Sequence, residues 1–221
     1  MTTNAAVAAR PSFFEELREQ RWDDHRYYHQ SRINQTLHFI SALTFLTSFV
    51  VVFFNPALAA LLGWLVAMVT RQSGHFFFEP KGYDEVNQAT HAHKEAIKVG
   101  YNLQRKVILH AAWVALPLIL IPSPTVFGLL DQPVGAWGYL MNIGMIWFAL
   151  GVAAIVIRVL YLSVTRHWQV GICWATKILT DPFHDIALYW RSPLALLRGE
   201  LIDPMDDVVA PPAGSRAGHG A

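Results

Sequence analysis

Long apolar stretches alternate with shorter polar ones along most of the chain. Four of the apolar stretches carry few charged residues, and about 20 apolar residues suffice for a helix to span a bilayer. The pattern therefore predicts an all-α, polytopic membrane protein with about four transmembrane helices. The predicted spans are residues 37–54, 57–78, 107–121 and 139–164.

The polar stretch before the first span has the pattern of a helix lying at the membrane surface. Ser12 followed by Glu15 fits a capping box, and residues 13–28 are rich in charged and aromatic side chains. We expect a single membrane domain over residues 12–209. Residues 1–11 are expected to form a flexible tail, and residues 210–221, rich in Pro, Gly and Ala, a disordered one.

Composition supports a membrane protein and excludes some other classes. The chain is 53% hydrophobic and 15% charged, whereas soluble domains average about 25% charged residues. A net charge of +1 argues against a nucleic-acid partner, because phosphate binding requires a concentrated positive surface. Cys173 is the only cysteine, so we expect a small buried side chain there and neither an intramolecular disulfide nor a cysteine zinc site.

The positions of Lys and Arg predict the orientation in the membrane. If the four spans alternate, the far side holds Asn55-Pro56 and residues 122–138, and neither stretch contains Lys or Arg. Arg158 lies within the fourth span, and all other basic residues fall on the near side. An excess of Lys and Arg marks cytoplasmic loops. We therefore expect both termini to be cytoplasmic, in a bacterial inner membrane or the endoplasmic reticulum.

Two histidines flank the start of the first span. On one straight helix His29 and His38 would be nine residues apart and would point in opposite directions. They can converge only if the helix breaks near residues 30–32, where Ser31 is a plausible N-cap of a new helix. Asn34 then shares a face with His38. The alternative is that these polar residues merely cap the first span.

The end of the second span carries a further histidine and a carboxylate. His75 and Glu79 are four residues apart and share a helix face, Gly74 leaves room beside the imidazole, and Pro80 disfavours helix at Glu79. The tight turn at Asn55-Pro56 makes the first two spans antiparallel, so we predict that His38 and His75 bind the same metal ion. Glu79 would orient a ligand. The alternative for Glu79 is an ion pair at the helix end.

A third group of histidines follows the second span. His91 and His93 lie about 200° apart if this stretch is helical, so we expect one of them as a ligand. His184 is a weaker candidate, and His25, His110 and His167 are expected to be structural. Imidazoles with a carboxylate and no thiolate suit iron, zinc or copper. A site of this kind facing lipid predicts iron-dependent oxidation of an acyl chain.

The spacing of these residues resembles a known family. The pattern Tyr28-His29-x4-Asn34-x3-His38 before a hairpin, with Gly74-His75-x3-Glu79 after it, is similar to the membrane-bound 2-hydroxy fatty acid dioxygenases, over about residues 25–80. Arg32 stands where that family usually has a proline. The resemblance implies an Fe(II)-dependent enzyme that removes one carbon from 2-hydroxy fatty acids and depends on its histidines.

The predicted function is therefore a histidine-ligated, non-haem Fe(II) oxygenase acting on a fatty acyl substrate with O2. The predicted partners are membrane lipid or a fatty acyl substrate, with a homo-oligomer left open. Zinc or copper in place of iron, a metal-free membrane scaffold, and a haem-binding protein or transporter are the alternatives. The predicted metal ligands are His29, His38, His75, His91 and His93, with Asn34 and Glu79 as catalytic residues.

Overall fold

The chain folds into helices joined by short connections. The computed structural model describes residues 10–85, 87–99 and 102–205. The predicted C-terminal tail and most of the predicted N-terminal tail lie outside the described residues. Among the described residues, strand-like pairing is confined to two isolated bridges, Ser31 with Ile202 and Asp84 with Ala89. The α-helices are α1 (Phe13–Tyr28), α2 (Arg32–Val51), α3 (Pro56–Leu62), α4 (Val69–Ser73), α5 (His91–Ile97), α6 (Leu103–Ala115), α7 (Gly135–Thr165), α8 (Trp168–Tyr189) and α9 (Ser192–Leu197).

The first two helices are separate, as the sequence predicted. The capping box of α1 is present: the Ser12 side chain accepts from the Glu15 backbone N–H, and the Glu15 carboxylate accepts from that of Ser12. Helix α1 ends at Tyr28, and α2 begins at Arg32 with Ser31 as its N-cap, accepting from the Asn34 N–H. The predicted helix break is therefore confirmed.

Helix α2 and the helical run that follows it form an antiparallel hairpin. Asn55 caps α3 by accepting the Leu58 N–H at 2.9 Å, and Pro56 occupies the first turn, where its missing N–H costs nothing. The run that continues from α3 contains two π-helical turns, Gly63–Met68 and Gly74–Phe78. In a π-helical turn the backbone hydrogen bonds join residues five apart instead of four, and such turns are frequent at functional sites.

Tryptophan side chains join the hairpin to the long helix α7. Buried Trp64 donates its indole N–H to the Trp147 carbonyl at 3.0 Å, and Trp147 donates to the Trp113 carbonyl at 2.8 Å. Helix α8 packs against α1, α2 and α7. Cys173 on α8 is fully buried, and its thiol donates to the Phe13 carbonyl at 3.2 Å, which matches the predicted structural role.

Two helices in the described part of the chain are long and apolar enough to cross a membrane. They are the helical stretch Leu103–Leu120, formed by α6 and a 3-10 turn, and α7. Only 6% and 17% of their apolar windows are buried, whereas the core helix of a soluble protein is mostly buried. Residues 37–54 and 57–78 do not meet the same criterion, so the four-span arrangement stays a prediction.

Candidate metal centre

Three histidine side chains meet where α1, α2 and the second π-helical turn come together. The His29 Nε2 atom lies 3.2 Å from His38 Nε2, which in turn lies 3.1 Å from His75 Nε2. His29 and His38 are 1% and 0% exposed. One ligand atom from each histidine can be chosen so that all three lie within 4.8 Å of one another. The helix break and the hairpin together bring about this convergence.

The His29 ring is held in one protonation state. Its Nδ1 atom lies 2.8 Å from the Asp24 carbonyl oxygen, and a carbonyl can only accept, so Nδ1 carries the proton. Burial, reinforced by nearby His38, lowers the pKa of His29 well below 6.5, so the ring is neutral. The Nε2 atom is therefore an acceptor and faces the other two histidines, 3.2 Å from both ring nitrogens of His38.

The His38 ring is oriented by a carboxylate from α8. Asp185 Oδ2 lies 3.5 Å from His38 Nδ1, and the same oxygen accepts from Arg71 Nη1 at 2.8 Å. Because an ionised carboxylate only accepts, it favours a proton on Nδ1 and leaves the His38 Nε2 lone pair facing His29 and His75. A carboxylate behind a histidine is the usual support of a metal ligand.

The donor set fits a metal cation. With both protons on Nδ1, the Nε2 atoms of His29 and His38 are both acceptors and lie 3.2 Å apart, so one cation can bind to both. The His38 Nδ1–H also lies within hydrogen-bonding distance of His29 Nε2, at 3.2 Å. Three imidazole nitrogens suit divalent iron, zinc, copper or nickel. The three-histidine group contains no carboxylate, so its composition does not select iron. It is the one such group of three or more ligands among the described residues.

Asn34 and Glu79 lie beside this group and hold the backbone around it. The Glu79 carboxylate accepts from the backbone N–H groups of Gln30 and Ser31, each at 3.2 Å, and from Asn34 Nδ2 at 2.7 Å. Asn34 also donates to the Tyr28 carbonyl at 2.9 Å. Burial raises the pKa of Glu79 to about 7, although these hydrogen bonds oppose the rise. Both side chains thus fasten the helix break that carries His29.

Gly74 makes room for Asn34 and not, as the sequence suggested, for the imidazole. A Cβ atom added at Gly74 would lie 1.9 Å from Asn34 Oδ1 and 2.8 Å from Asn34 Cγ. Helix α2 and the second π-helical turn therefore approach too closely for any side chain at this position.

His91 and His93 lie apart from the three-histidine group. Both are on α5, where His93 is exposed, and the group does not include either of them. A ligand role for one of them stays a prediction. The three histidines expected to be structural each make a hydrogen bond: His25 with the Tyr189 hydroxyl, His110 with the Lys106 carbonyl, and His167 with the Gln169 backbone N–H.

Helix α8 supplies side chains to the centre that the sequence reasoning missed. Lys177, Asp181, Asp185 and Tyr189 recur every four residues and are all buried. Lys177 pairs with Asp181 at 2.6 Å and with Asp24 at 3.0 Å, and the Tyr189 ring lies 5.5 Å from that of His29. The sequence signal that could have identified these residues is the recurrence of polar side chains at helical spacing in an otherwise apolar segment.

A cavity of about 420 Å³ adjoins the three-histidine group. His75 forms part of its wall, and most of the remaining wall is apolar, including Phe45, Trp64, Met68 and Phe148. This volume is within the roughly 300–1,000 Å³ range of small-molecule sites. The geometry thus joins a set of metal-binding side chains to an apolar chamber.

Comparison with known proteins gives one match. The family model described as 2-hydroxy-palmitic acid dioxygenase Mpo1-like matches residues 14–82, which confirms the resemblance found in the sequence. The matched region contains α1, α2, the helical run 56–78 and all three clustered histidines. A search of curated proteins and a search of solved structures each gave no match.

Proposed function

We propose that this chain is a membrane-embedded oxygenase that uses a histidine-bound metal, iron(II), to oxidise a fatty acyl substrate of the 2-hydroxy acid type with O2. The observation that carries the proposal is the convergence of three Nε2 atoms, with those of His29 and His38 as acceptors. The matched family's description names a 2-hydroxy fatty acid and a dioxygenase activity, which supports the substrate class and the use of O2.

In this proposal the chain's own residues hold and orient the metal. His29, His38 and His75 would bind it through Nε2. The Asp24 carbonyl and the Asp185 carboxylate keep the protons of His29 and His38 on Nδ1. When bound, iron(II) would supply the activation of O2.

Glu79 and Asn34 act in this proposal through the backbone. By fixing Gln30, Ser31 and Tyr28, they set the position of His29 relative to His38. A shift of about 1 Å there would separate the ligand atoms enough to weaken a metal site, because such sites tolerate only about 0.2 Å in ligand distance. Their predicted catalytic role therefore becomes one of positioning.

The surroundings of the centre support a lipid substrate. The cavity beside His75 is largely apolar, and two outward-facing apolar helices can place the protein in a bilayer. A fatty acyl chain partitions into that medium, and its apolar surface matches the apolar wall of the cavity.

Metal analysis of variants tests the proposal. We expect protein purified under anaerobic conditions to contain close to one metal ion per chain, and His38→Ala to lose most of it, because His38 lies between the other two ligands. The His93→Ala variant is the comparison, since His93 is exposed on α5 and is not part of the three-histidine group. If the three histidines alone bind the metal, this variant should keep it. Elemental analysis gives both numbers.

Three outcomes would count against the proposal. Full metal content in folded His38→Ala would exclude a shared site at the three histidines, and absence of metal from the unmodified protein would favour a metal-free scaffold. Loss of metal in His93→Ala with retention in His38→Ala would move the site to α5. Circular dichroism of each variant establishes that the helices are intact.

A further inference from the structure

Two lysines project into the cavity beside the metal centre. Lys98 and Lys106 both form part of its wall. The Lys98 ammonium lies 3.4 Å from the centre of the Tyr28 ring, and Tyr28 precedes His29. The Lys106 ammonium lies 5.9 Å from the centre of the Phe76 ring, and Phe76 follows His75. Both charges are therefore at the end of the cavity where the histidines lie.

Among the described residues, these two ammonium groups differ from the other cations on the cavity wall in making no ion pair. The other cations on the cavity wall are neutralised: Arg71 pairs with Asp185, and Lys177 pairs with Asp24 and Asp181. Within the described part of the chain, no ion pair joins Lys98 or Lys106 to an acidic side chain. They also repel each other electrostatically. Charges withdrawn from water in this way are costly unless a counter-ion meets them.

We infer that Lys98 and Lys106 bind the carboxylate of a fatty acid whose chain occupies the apolar part of the cavity. The inference rests on the proposed function, because it names the contacts that would hold the substrate of that metal centre. A ligand with one anionic end and a long apolar chain matches both parts of the wall: the two ammonium groups, and the side chains of Phe49, Trp64, Met68, Phe148 and Ile155.

Anchoring at the carboxylate decides which carbon is presented to the metal. In a 2-hydroxy acid the oxidisable carbon is next to the carboxylate, and the two lysines lie next to residues that flank His29 and His75. The position of oxidation would then be counted from the acid end, whatever the length of the chain. Both lysines lie outside residues 14–82, so this anchor is a feature of the part of the chain that the family model does not match.

Binding measurements in detergent with the metal chelated test the inference without depending on turnover. The probes are 2-hydroxyhexadecanoic acid and its methyl ester, which has the same chain and no negative charge. We expect the unmodified protein to bind the acid at least about 10-fold more tightly than the ester, the smallest effect of one charge-assisted contact. In the Lys98→Met, Lys106→Met double variant this preference should vanish, with the ester affinity unchanged.

Two further variants and one further ligand complete the test. Lys81→Met removes an exposed charge away from the cavity and should leave the preference for the acid over the ester intact. The Lys98→Arg, Lys106→Arg double variant keeps both charges and should retain this preference, which tests the inference even if the methionine variant fails to fold. Equal binding of acid and ester by the unmodified protein would overturn the inference. So would tighter binding of lysophosphatidylglycerol than of the acid, which would indicate a lipid phosphate site. Metal content, measured separately, reports on the proposed function alone.

Discussion

At the scale of single residues, Gly74 is where the smallest chemical change has the largest expected effect. Asn34 is fully buried, and its amide nitrogen is held by Glu79 and by the Tyr28 carbonyl. It therefore cannot turn away from a methyl group added at Gly74, which would also lie 3.3 Å from the Asn34 Cα atom. The contact joins the second π-helical turn directly to the helix that bears His38.

We predict that Gly74→Ala destabilises the protein by about 1–3 kcal/mol, the usual cost of overpacking, and also weakens metal binding. Gly63→Ala is the control from the same helical run, because a Cβ there would meet only Phe45 at an ordinary 3.8 Å. Thermal unfolding in detergent and metal titration give the two readouts. Equal stability of the two variants would show that Asn34 can move.

A second residue-scale prediction concerns pH. Burial would raise the pKa of Asp84, but hydrogen bonds from Asn87 and the Lys94 ammonium lower it below its usual value of 3.8. A carboxyl group with a lowered pKa stabilises the fold above its unfolded pKa, and this stabilisation is lost as pH falls through the folded value.

Asp84→Asn should therefore cost about 1–2 kcal/mol at pH 6 and less at pH 3, which lies below the unfolded pKa of 3.8. Unfolding free energies of the variant and the unmodified protein at both pH values give the comparison. Glu85→Gln, at an exposed neighbouring position, should show no such dependence on pH. A cost for Asp84→Asn that is the same at both pH values would mean that the charge of Asp84 is not what stabilises the loop.

At the scale of elements, the segment Leu201–Met205 fastens the break between α1 and α2. The Arg32 backbone N–H donates to the Leu201 carbonyl at 2.9 Å, and the Asp203 N–H donates to the Gln30 carbonyl at 2.8 Å. Gln35 Nε2 donates to both the Asp203 carboxylate and the His29 carbonyl. We call residues 201–205 the strap. The Gln35 side chain thus links Asp203 of the strap to the backbone carbonyl of His29.

Removing the strap's carboxylate should loosen the centre. In Asp203→Ala the 2.7 Å ion pair to Arg32 and the acceptor for Gln35 are lost together. We expect a loss of about 1.5–3 kcal/mol and a Tm lower by about 2–4 °C per kcal/mol, with weaker metal binding. Glu200→Ala, at the exposed position beside the strap, should change neither. An unchanged metal affinity in Asp203→Ala would show that the strap stabilises the fold without positioning His29.

The sequence predicted the elements that depend on local signals. Ser31 marked the helix break, Asn55-Pro56 marked the hairpin, and their combination predicted that His38 and His75 would meet. It could not predict that Asp185 lies behind His38, because that contact depends on how α8 packs against α2. The apolar pattern also gave no warning that Asn34 and Gln35, in the first turns of α2, are buried in protein.

At the scale of the whole molecule, the charge distribution and the apolar helices predict an orientation. Helix α7 has 31 residues and at about 1.5 Å per residue is longer than the roughly 30 Å bilayer core, so it can cross with a tilt. The turn before it, residues 122–134, contains no Lys or Arg. From these features we predict a far-side turn, with the three-histidine group at the cytoplasmic rim.

We predict that a cysteine at Gln132, in a Cys173→Ser background, reacts with a membrane-impermeant maleimide only from the side opposite the cytoplasm. Glu200→Cys in the same background should react only from the cytoplasm, because residues 201–205 lie beside the metal centre. Labelling assays on sealed vesicles of both orientations distinguish the two. Reaction of Gln132→Cys from the cytoplasm alone would reverse or abolish the proposed topology.

The strap also sets an order of events during synthesis. Asp203 follows its partner Gln35 by 168 residues, and Asp185 follows Arg71 by 114. At about 5–20 residues per second, roughly 10–30 seconds of translation separate the emergence of Gln35 from that of Asp203. For most of this time the three histidines already exist, but Asp185 and the strap do not. A chain that ends before the strap would contain the three histidines without the contacts that Asp203 makes beside the helix break, so we expect tight metal binding only after residue 203 has been made.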